Sequence, residues 1–148
     1  MQGPNGGWIL LQERRNAAIN FYRNWVSYEK GFGEPGVGYW LGNINMHSIT
    51  LKKKYALRID LPSFFDELNV RLMAKYDSFR VLGPSTGYVI KLGQFLSGLS
   101  DILSKVNNSA FSTWDRDNDK VDGACARARK SAWWYGRTCS VFDINSMR

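Results

Sequence analysis

The sequence predicts an α+β fold, in which small helices pack on a central antiparallel sheet and a loop-rich segment follows. Three features of the chain support this prediction. Segments with strand-like alternation of apolar and polar residues recur in residues 55–92. Their connections are short, which favours antiparallel pairing because parallel strands need long crossovers. Aromatic residues at helical spacing precede these segments, and strand periodicity ends near Ser109.

The first third of the chain predicts one strand and two helices. Residues 8–12 are a short apolar run after a glycine-rich start, and they predict a buried strand. Phe21, Trp25 and Tyr28 recur at helical spacing. We therefore expect a helix over residues 20–30, ending at Gly31, and a second helix over residues 39–48.

The central sheet is expected to contain three strands. Residues 55–61 alternate and end before Pro62, residues 71–81 form a second run, and residues 87–92 form a third. Residues 83–87 are a turn signal between the last two strands. From about Ser109 the sequence becomes acidic and irregular, which predicts a loop-rich subdomain.

Composition and charge exclude several classes of protein. Of 148 residues, 44% are hydrophobic and 22% are charged, as in one globular domain with a core. The net charge of +7 favours anionic partners, but the basic runs at Lys52 to Lys54 and Arg127 to Lys130 contain no nucleic-acid motif. We expect no nucleic-acid binding. No segment reaches the ~18 apolar residues that a membrane span requires.

The cysteines and the histidine restrict the possible chemistry. With only Cys125, Cys139 and His47 as cysteine and histidine ligands, we expect no zinc site made of four protein residues. His47 has no nucleophile motif beside it, so no catalytic residues are assigned and the protein is not expected to be an enzyme. If the cysteines are joined, their loop contributes about 3 kcal/mol and indicates an oxidising compartment.

An acidic loop is the sharpest local signal. Residues 115–122 carry alternate carboxylates, which suit the six to eight oxygen ligands of Ca²⁺. The loop is not an EF-hand, because Lys120 or Asp122 occupies the glycine position and Ala126 or Ala128 the final glutamate position. A turn whose aspartates cap their own backbone explains the spacing equally well.

The order of motifs along residues 6–145 resembles the fibrinogen C-terminal domain family, which includes ficolin-like and tachylectin-like proteins. The matching segments are GGWILLQER at 6–14, NFYRNWVSYEKGFG at 20–33, YWLGN at 39–43, AKYDSF at 74–79, FSTWDRDND at 111–119, Cys125-Ala126 and AWWY at 132–135. The resemblance implies one incomplete domain, with a central sheet subdomain over about residues 6–110. Residues 111–148 would form part of a calcium and ligand subdomain.

The resemblance implies a structural calcium site and a disulfide. The carboxylates of Asp117 and Asp119 and the backbone carbonyls of Val121 and Gly123 would hold Ca²⁺. Cys125 and Cys139 would form the disulfide that fixes the calcium loop beside the ligand pocket.

The ligand pocket implied by the resemblance contains five residues: Arg129, Tyr135, Thr138, Cys139 and Ser140. Family members bind acetylated sugars, microbial glycans, receptor ectodomains or a peptide N-terminus. Here Arg129 stands where many members have a pocket Tyr, and Ser140 stands where His is usual. A fixed cation at Arg129 favours an anionic ligand. We expect a non-enzymatic module for glycans or protein partners.

Two alternatives remain open. The first is a fragment that no longer binds the family's ligands. The second is a binder of heparin-like polyanions through Arg127, Arg129, Lys130 and Arg137.

The resemblance also implies secretion, in a protein that is truncated at both ends relative to the family. Residues 1–7 have neither the basic nor the apolar region of a signal peptide. Asn107 begins a glycosylation sequon, Asn107-Asn108-Ser109, which is a weak signal by itself.

Overall fold

Two antiparallel sheets and three short α-helices make up the described part of the molecule. The structure is a computed structural model that describes residues 6–61 and 72–146. The first sheet has the strand order β1-β3-β2, with β1 at Gln12–Arg14, β2 at Phe32–Glu34 and β3 at Gly38–Trp40. The helices are α1 (Trp25–Lys30), α2 (Asn43–Lys52) and α3 (Cys125–Ala128).

The second sheet is the central sheet predicted from the alternating segments. Its strands are β4 (Tyr55–Leu61), β5 (Leu72–Val81), β6 (Ile90–Leu92) and β7 (Phe95–Gly98). The long strand β5 pairs antiparallel with the other three, and the opposed pairs of β4 and β5 include Leu57 with Tyr76. The predicted antiparallel α+β architecture is therefore confirmed.

The predicted boundaries of the central strands are right for β4 and wrong for β6. The structure has β4 at the predicted residues, and β5 agrees from Leu72 onward, while Arg71 lies outside the described residues. Strand β6 begins only at Ile90 because Gly87 and Tyr88 adopt φ values of 71° and 55°. These values belong to the left-handed region, which strands do not use.

The predicted strand over residues 8–12 agrees with the structure only at Gln12, where β1 begins. Pairing with β3 begins only at Gln12, opposite Trp40. Trp8, Ile9 and Leu10 are 40–44% exposed instead of buried. An apolar run alone predicts burial, but the partner strand determines where pairing begins.

The two predicted helices are shifted toward the C-terminus. Helix α1 begins at Trp25 because Asn24 caps it, its side-chain oxygen accepting from Ser27 N at 3.0 Å. Upstream, Asn20 binds the Tyr22 N–H in the same local manner, which competes with helix formation. Residues 38–40 form β3, and α2 begins after Gly42, which has a φ of 102°.

Two glycines allow the backbones of the first subdomain to approach closely. A Cβ on Gly31 would lie 2.6 Å from Leu41 O, and one on Gly42 would lie 2.7 Å from Lys30 O. Both residues have positive φ. The end of α1 and the start of α2 therefore touch through backbone atoms, at positions where only glycine fits.

A cluster of aromatic rings forms the centre of the core. The ring of Phe111 lies 5.2 Å from that of Tyr28, 5.7 Å from that of Trp40 and 5.0 Å from that of Trp134. These rings come from both of the predicted subdomains. One continuous core therefore supports the sheets and the loop-rich segment.

The last third of the described residues has little regular structure, as predicted. Beyond Ser109 it contains α3 and two isolated antiparallel bridges, Ser112 with Trp133 and Thr113 with Arg116. Across residues 6–61 and 72–146, no helix combines the length and apolar character needed to cross a membrane.

Candidate calcium loop and ligand site

The acidic loop begins at a tight turn that is fixed to the core. Thr113 and Arg116 exchange backbone hydrogen bonds of 2.9 and 3.1 Å, so Trp114 and Asp115 form the tip. The antiparallel bridge between Ser112 and Trp133, two buried residues, attaches the start of this turn to the core. The loop therefore starts from a rigid frame.

Asp115 connects this turn to helix α1. Its Oδ1 accepts hydrogen bonds from Trp25 N at 2.9 Å and from the Thr113 hydroxyl at 2.7 Å. Asp115 belongs to the alternating acidic pattern, but these bonds give it a structural role. The sequence pattern did not reveal this role, because the partner Trp25 lies 90 residues away.

Asp117 and Asp119 lie together in the loop. Asp117 Oδ1 accepts from Asp119 N at 3.1 Å, and Asp119 accepts from Val121 N at 3.0 Å and from Cys125 N at 2.9 Å. Burial raises the pKa of Asp119, while the hydrogen bonds from the Val121 and Cys125 backbones lower it. The negative charge of Asp117 raises it further, and the net shift is upward. A cation would remove this unfavourable proximity of two carboxylates.

The loop also exposes the backbone where the predicted carbonyl ligands lie. Val121 is half-buried, and Gly123 is exposed with a φ of 88° and open space around its Cα. Oxygen ligands from carboxylates and backbone are the donor set that Ca²⁺ uses. The carboxylates and backbone carbonyls of this loop are therefore chemically suitable ligands for Ca²⁺.

The acidic turn is also stabilised by its own hydrogen bonds, as the alternative interpretation predicted. In the described residues, no three His, Cys, Asp or Glu side chains are close enough together to hold a metal. The predicted set has only two carboxylates, with backbone carbonyls as the other ligands. Calcium binding thus stays a prediction.

The predicted disulfide between Cys125 and Cys139 is confirmed, with the two Cα atoms 5.2 Å apart. Cys125 is fully buried at the start of α3, and its N–H binds Asp119. The acidic loop and the disulfide are therefore one connected unit. Cys139 is half-buried and lies between two of the predicted ligand residues.

Arg129 lies just beyond α3 and is half-buried. Its Nε is buried and donates no hydrogen bond to the described residues. Trp133 Nε1 is likewise buried without a partner there, whereas Ser131 Oγ is buried close to Tyr135 and Asp143 without ideal hydrogen-bond geometry. Buried donors normally have acceptors, so Arg129 Nε and Trp133 Nε1 are exceptions that call for an explanation.

Tyr135 is fully buried, and its hydroxyl donates to Asp143 Oδ2 at 2.5 Å. Burial raises its pKa. The predicted contact between Tyr135 and a ligand stays a prediction. Because the side chain is buried, a ligand could not reach the hydroxyl directly from solvent.

Asp143 is a buried residue at this site that the sequence interpretation missed. Its Oδ1 accepts from Asn145 N at 2.9 Å and from Ser146 N at 3.2 Å. Burial raises its pKa by more than the hydrogen bonds from Tyr135, Ser131 and the Asn145 backbone and the positive charge of Arg129 lower it. An acidic residue inside the apolar run of residues 141–144 was the available signal, because such residues are seldom buried without partners.

The other predicted ligand residues lie at the surface. Thr138 and Ser140 are exposed, and Thr138 Oγ1 accepts from Ser140 N at 3.0 Å. With Cys139 between them, they form a short exposed segment held by the disulfide.

Asn107, the predicted glycosylation site, uses its side-chain amide within the fold. Its Oδ1 accepts from Leu92 N at 2.9 Å, and its Nδ2 donates to Leu92 O at 3.3 Å. Ser109 of the sequon is buried. Glycosylation of Asn107 stays a prediction. A glycan would be attached to Nδ2, the same atom that donates to Leu92 O.

The two antiparallel sheets, the few short helices and the disulfide define a fibrinogen-like globular domain. The protein belongs to the fibrinogen C-terminal family, because the family model for the C-terminal globular domain of fibrinogen beta and gamma chains matches residues 1–147. The predicted family is therefore confirmed.

Known relatives are similar in sequence and in structure. Ryncolin-4 of Cerberus rynchops is 41% identical over an alignment 148 residues long, which covers 99% of this chain and 42% of that protein. The fibrinogen-like globe domain of human ANGPTL6 has a TM-score of 0.83 at 35% identity, over 91% of this chain and 60% of that one.

A third relative was solved with a ligand. Lamprey fibrin D-dimer, in complex with the peptide Gly-His-Arg-Pro-amide, has a TM-score of 0.76 at 34% identity, over 88% of this chain and 45% of that one. The present sequence thus spans less than half the length of ryncolin-4 and of this fibrin relative.

Proposed function

We propose that the protein is a secreted, non-enzymatic recognition module, stabilised by calcium, that binds an anionic group of a glycan or protein partner beside Arg129. The observation that carries the proposal is the buried Nε of Arg129, which has no hydrogen-bond partner among the described residues. A guanidinium presents a planar set of donors that matches carboxylate, sulfate or phosphate. The Asp143 carboxyl is close enough to feel the charge of Arg129 but accepts no hydrogen bond from its Nε, so an anionic ligand would supply that acceptor.

Calcium has a structural role in this proposal. Asp117 and Asp119 would bind the ion through their carboxylates, and Val121 and Gly123 through their backbone carbonyls. Ca²⁺ would neutralise the two neighbouring carboxylates. The ion would fix the loop that holds Cys125 through Asp119. Since Arg129 follows directly after α3, the position of its side chain would depend on that loop.

Comparison with relatives supports recognition as the function. A fibrin relative of the same fold was solved in complex with a short peptide. In the present protein Arg129, Arg127, Lys130 and Arg137 would disfavour a cationic ligand. Acidic or acetylated glycans and acidic protein segments are therefore the ligand classes to test.

The experiment is a binding assay on a glycan array that includes sialylated, sulfated and acetylated members, with Ca²⁺ and with EDTA. Wild type is expected to bind acidic members only when Ca²⁺ is present. Arg129→Ala should weaken this binding at least about tenfold, which corresponds to about 1.4 kcal/mol. Arg80→Ala removes the same charge from an exposed position on β5 and serves as the control.

The result has three distinct outcomes. Retention of binding by Arg129→Ala would disprove the ligand site. Silence of the array with protein that demonstrably binds Ca²⁺ would favour a fragment without ligand binding.

The third outcome is that the protein binds heparin-like polyanions through several cationic side chains together, without one specific site. In the part of the chain that the structure describes, none of Arg127, Arg129, Lys130 and Arg137 forms an ion pair. A polyanion site predicts retention on heparin that falls steeply with salt and declines gradually as each of the four cations is removed. A specific site instead predicts that Arg129 dominates.

A further inference from the structure

An exposed tryptophan is held rigidly at the tip of the Thr113–Arg116 turn. Trp114 is 39% exposed, while the flanking Thr113 is fully buried. The backbone bonds between Thr113 and Arg116 close the turn on both sides. The indole is therefore presented to solvent from a fixed backbone.

Three further contacts fix this turn. The Trp25 N–H donates to Asp115 Oδ1 at 2.9 Å, and the Arg116 guanidinium carbon lies 4.4 Å from the centroid of the Trp25 ring. The Arg127 Nε donates to the Trp114 carbonyl at 2.7 Å. A side chain presented by an ordered backbone loses little conformational entropy on binding, so this geometry favours ligand capture.

An aromatic ring packs near the indole, and polar groups of both kinds are attached to the same turn. Tyr22 is half-buried, and its ring lies 6.5 Å from that of Trp114 with an angle of 50° between the planes. Arg127 and Asp115 are exposed, and the hydrogen bonds that Asp115 accepts from the described residues use only Oδ1. Arg127 is hydrogen-bonded to the backbone of Trp114, and Asp115 is the next residue along the chain, so a cation and a carboxylate of opposite charge are attached to the same turn as the indole.

We propose that Trp114, Tyr22, Arg127 and Asp115 form a second binding site, which takes a neutral hexopyranoside. The C–H face of a pyranose ring is apolar and stacks on an indole, while each hydroxyl both donates and accepts. Arg127 supplies donors to such hydroxyls, and Asp115 supplies an acceptor. The carboxylate of Asp115 disfavours an anionic sugar, so this site differs in chemistry from the one at Arg129 and does not depend on it.

The experiment is saturation-transfer difference NMR on the oxidised protein with Ca²⁺, using the methyl β-pyranosides of glucose, galactose and mannose at millimolar concentration. At least one sugar should receive saturation through the C–H protons of one ring face. Trp114→Ala should abolish the transfer, and Arg127→Gln should weaken binding about tenfold. Trp8→Ala, which removes another exposed indole, should leave binding unchanged.

Arg129→Ala separates this site from the proposed anion site. Sugar binding that survives Arg129→Ala and is lost in Trp114→Ala supports the second site, whatever the glycan array shows. Transfer that persists in a folded Trp114→Ala protein overturns it, and so does the absence of transfer to all three sugars. A melting curve for each variant establishes that the protein is folded.

Discussion

The carboxylate of Asp119 accepts a hydrogen bond of 2.9 Å from the backbone N–H of Cys125. This bond joins the acidic loop to the residue that carries the disulfide, at the start of the helix that leads to Arg129. A change at the calcium loop therefore reaches the candidate ligand site through one short segment of backbone. This relationship is the physical basis for expecting calcium and the disulfide to act together.

Calcium should stabilise the oxidised protein. At a concentration 100 times its dissociation constant, the ion adds about 2.7 kcal/mol to the free energy of unfolding. For a domain of this size, that corresponds to a rise of about 5–10 °C in melting temperature. Thermal unfolding with excess Ca²⁺ and with EDTA measures the difference.

Substitutions in the loop locate the ion. Asp117→Ala and Asp119→Ala should each remove most of the calcium-dependent rise, because each deletes a proposed carboxylate ligand. Asp122→Ala deletes an exposed carboxylate outside the proposed set and should keep the rise. A full calcium effect in both of the first two variants would show that the ion is held elsewhere.

Removal of the disulfide should weaken both stability and calcium binding. Replacing Cys125 and Cys139 together by Ala opens a loop of 14 residues and should cost about 3 kcal/mol. The start of α3 then loses its covalent anchor, so Asp119 should be held less well and the calcium-dependent rise should shrink. Chemical denaturation of the double variant, with Ca²⁺ and with EDTA, separates the two effects. An undiminished calcium effect would mean that the loop is organised without the disulfide.

The sequence predicted those parts of the molecule that depend on local pattern or on family motifs. Strand β4 lies at the predicted residues because its alternation is local, and the pairing of Cys125 with Cys139 followed from the resemblance. The first strand and the starts of the helices were predicted wrongly. Their limits depend on the pairing of Gln12 with Trp40 and on caps such as Asn24, which periodicity does not show.

The predicted site was incomplete for the same reason. The acidic pattern identified the loop but gave no separate role to Asp115, whose partner is Trp25 in a distant helix. Asp143 was overlooked because its partner Tyr135 had been assigned to the ligand. The contact of Asp115 with Trp25 spans 90 residues and arises only when the polypeptide has folded, whereas Asp143 lies near Tyr135 in sequence and was marked by its position in an apolar run.

The close approach of α1 and α2 predicts a large effect at Gly42. Gly42→Ala would place a Cβ 2.7 Å from Lys30 O at a φ of 102°, so the cost should be about 3 kcal/mol or more. Gly36→Ala is the matched control, since Gly36 has a φ of 95° but open space around it. It should lose only the conformational cost of about 1–2 kcal/mol. Equal losses of unfolding free energy in urea would show that steric contact at Gly42 is unimportant.

The buried carboxyl of Asp143 predicts a specific dependence of stability on pH. Because burial raises its pKa above the ordinary value of 3.8, the folded state holds a proton that the unfolded state releases. The contribution of the Asp143 carboxyl to the free energy of unfolding is therefore fully present below its ordinary, unfolded-state pKa. It is lost as the pH rises through the raised pKa of the folded state. Asp143→Asn removes this titration while keeping an oxygen that can accept from Asn145 N.

The variant should therefore gain stability relative to wild type as pH increases from about 4 to 7. The gain should be about 1.4 kcal/mol for each unit by which the fold raises the pKa. Urea unfolding in EDTA at a series of pH values measures it. Asp122→Asn, at an exposed aspartate, controls for the general change in charge. A difference between Asp143→Asn and wild type that stays constant with pH would mean that the Asp143 carboxyl does not titrate differently in the folded and unfolded states.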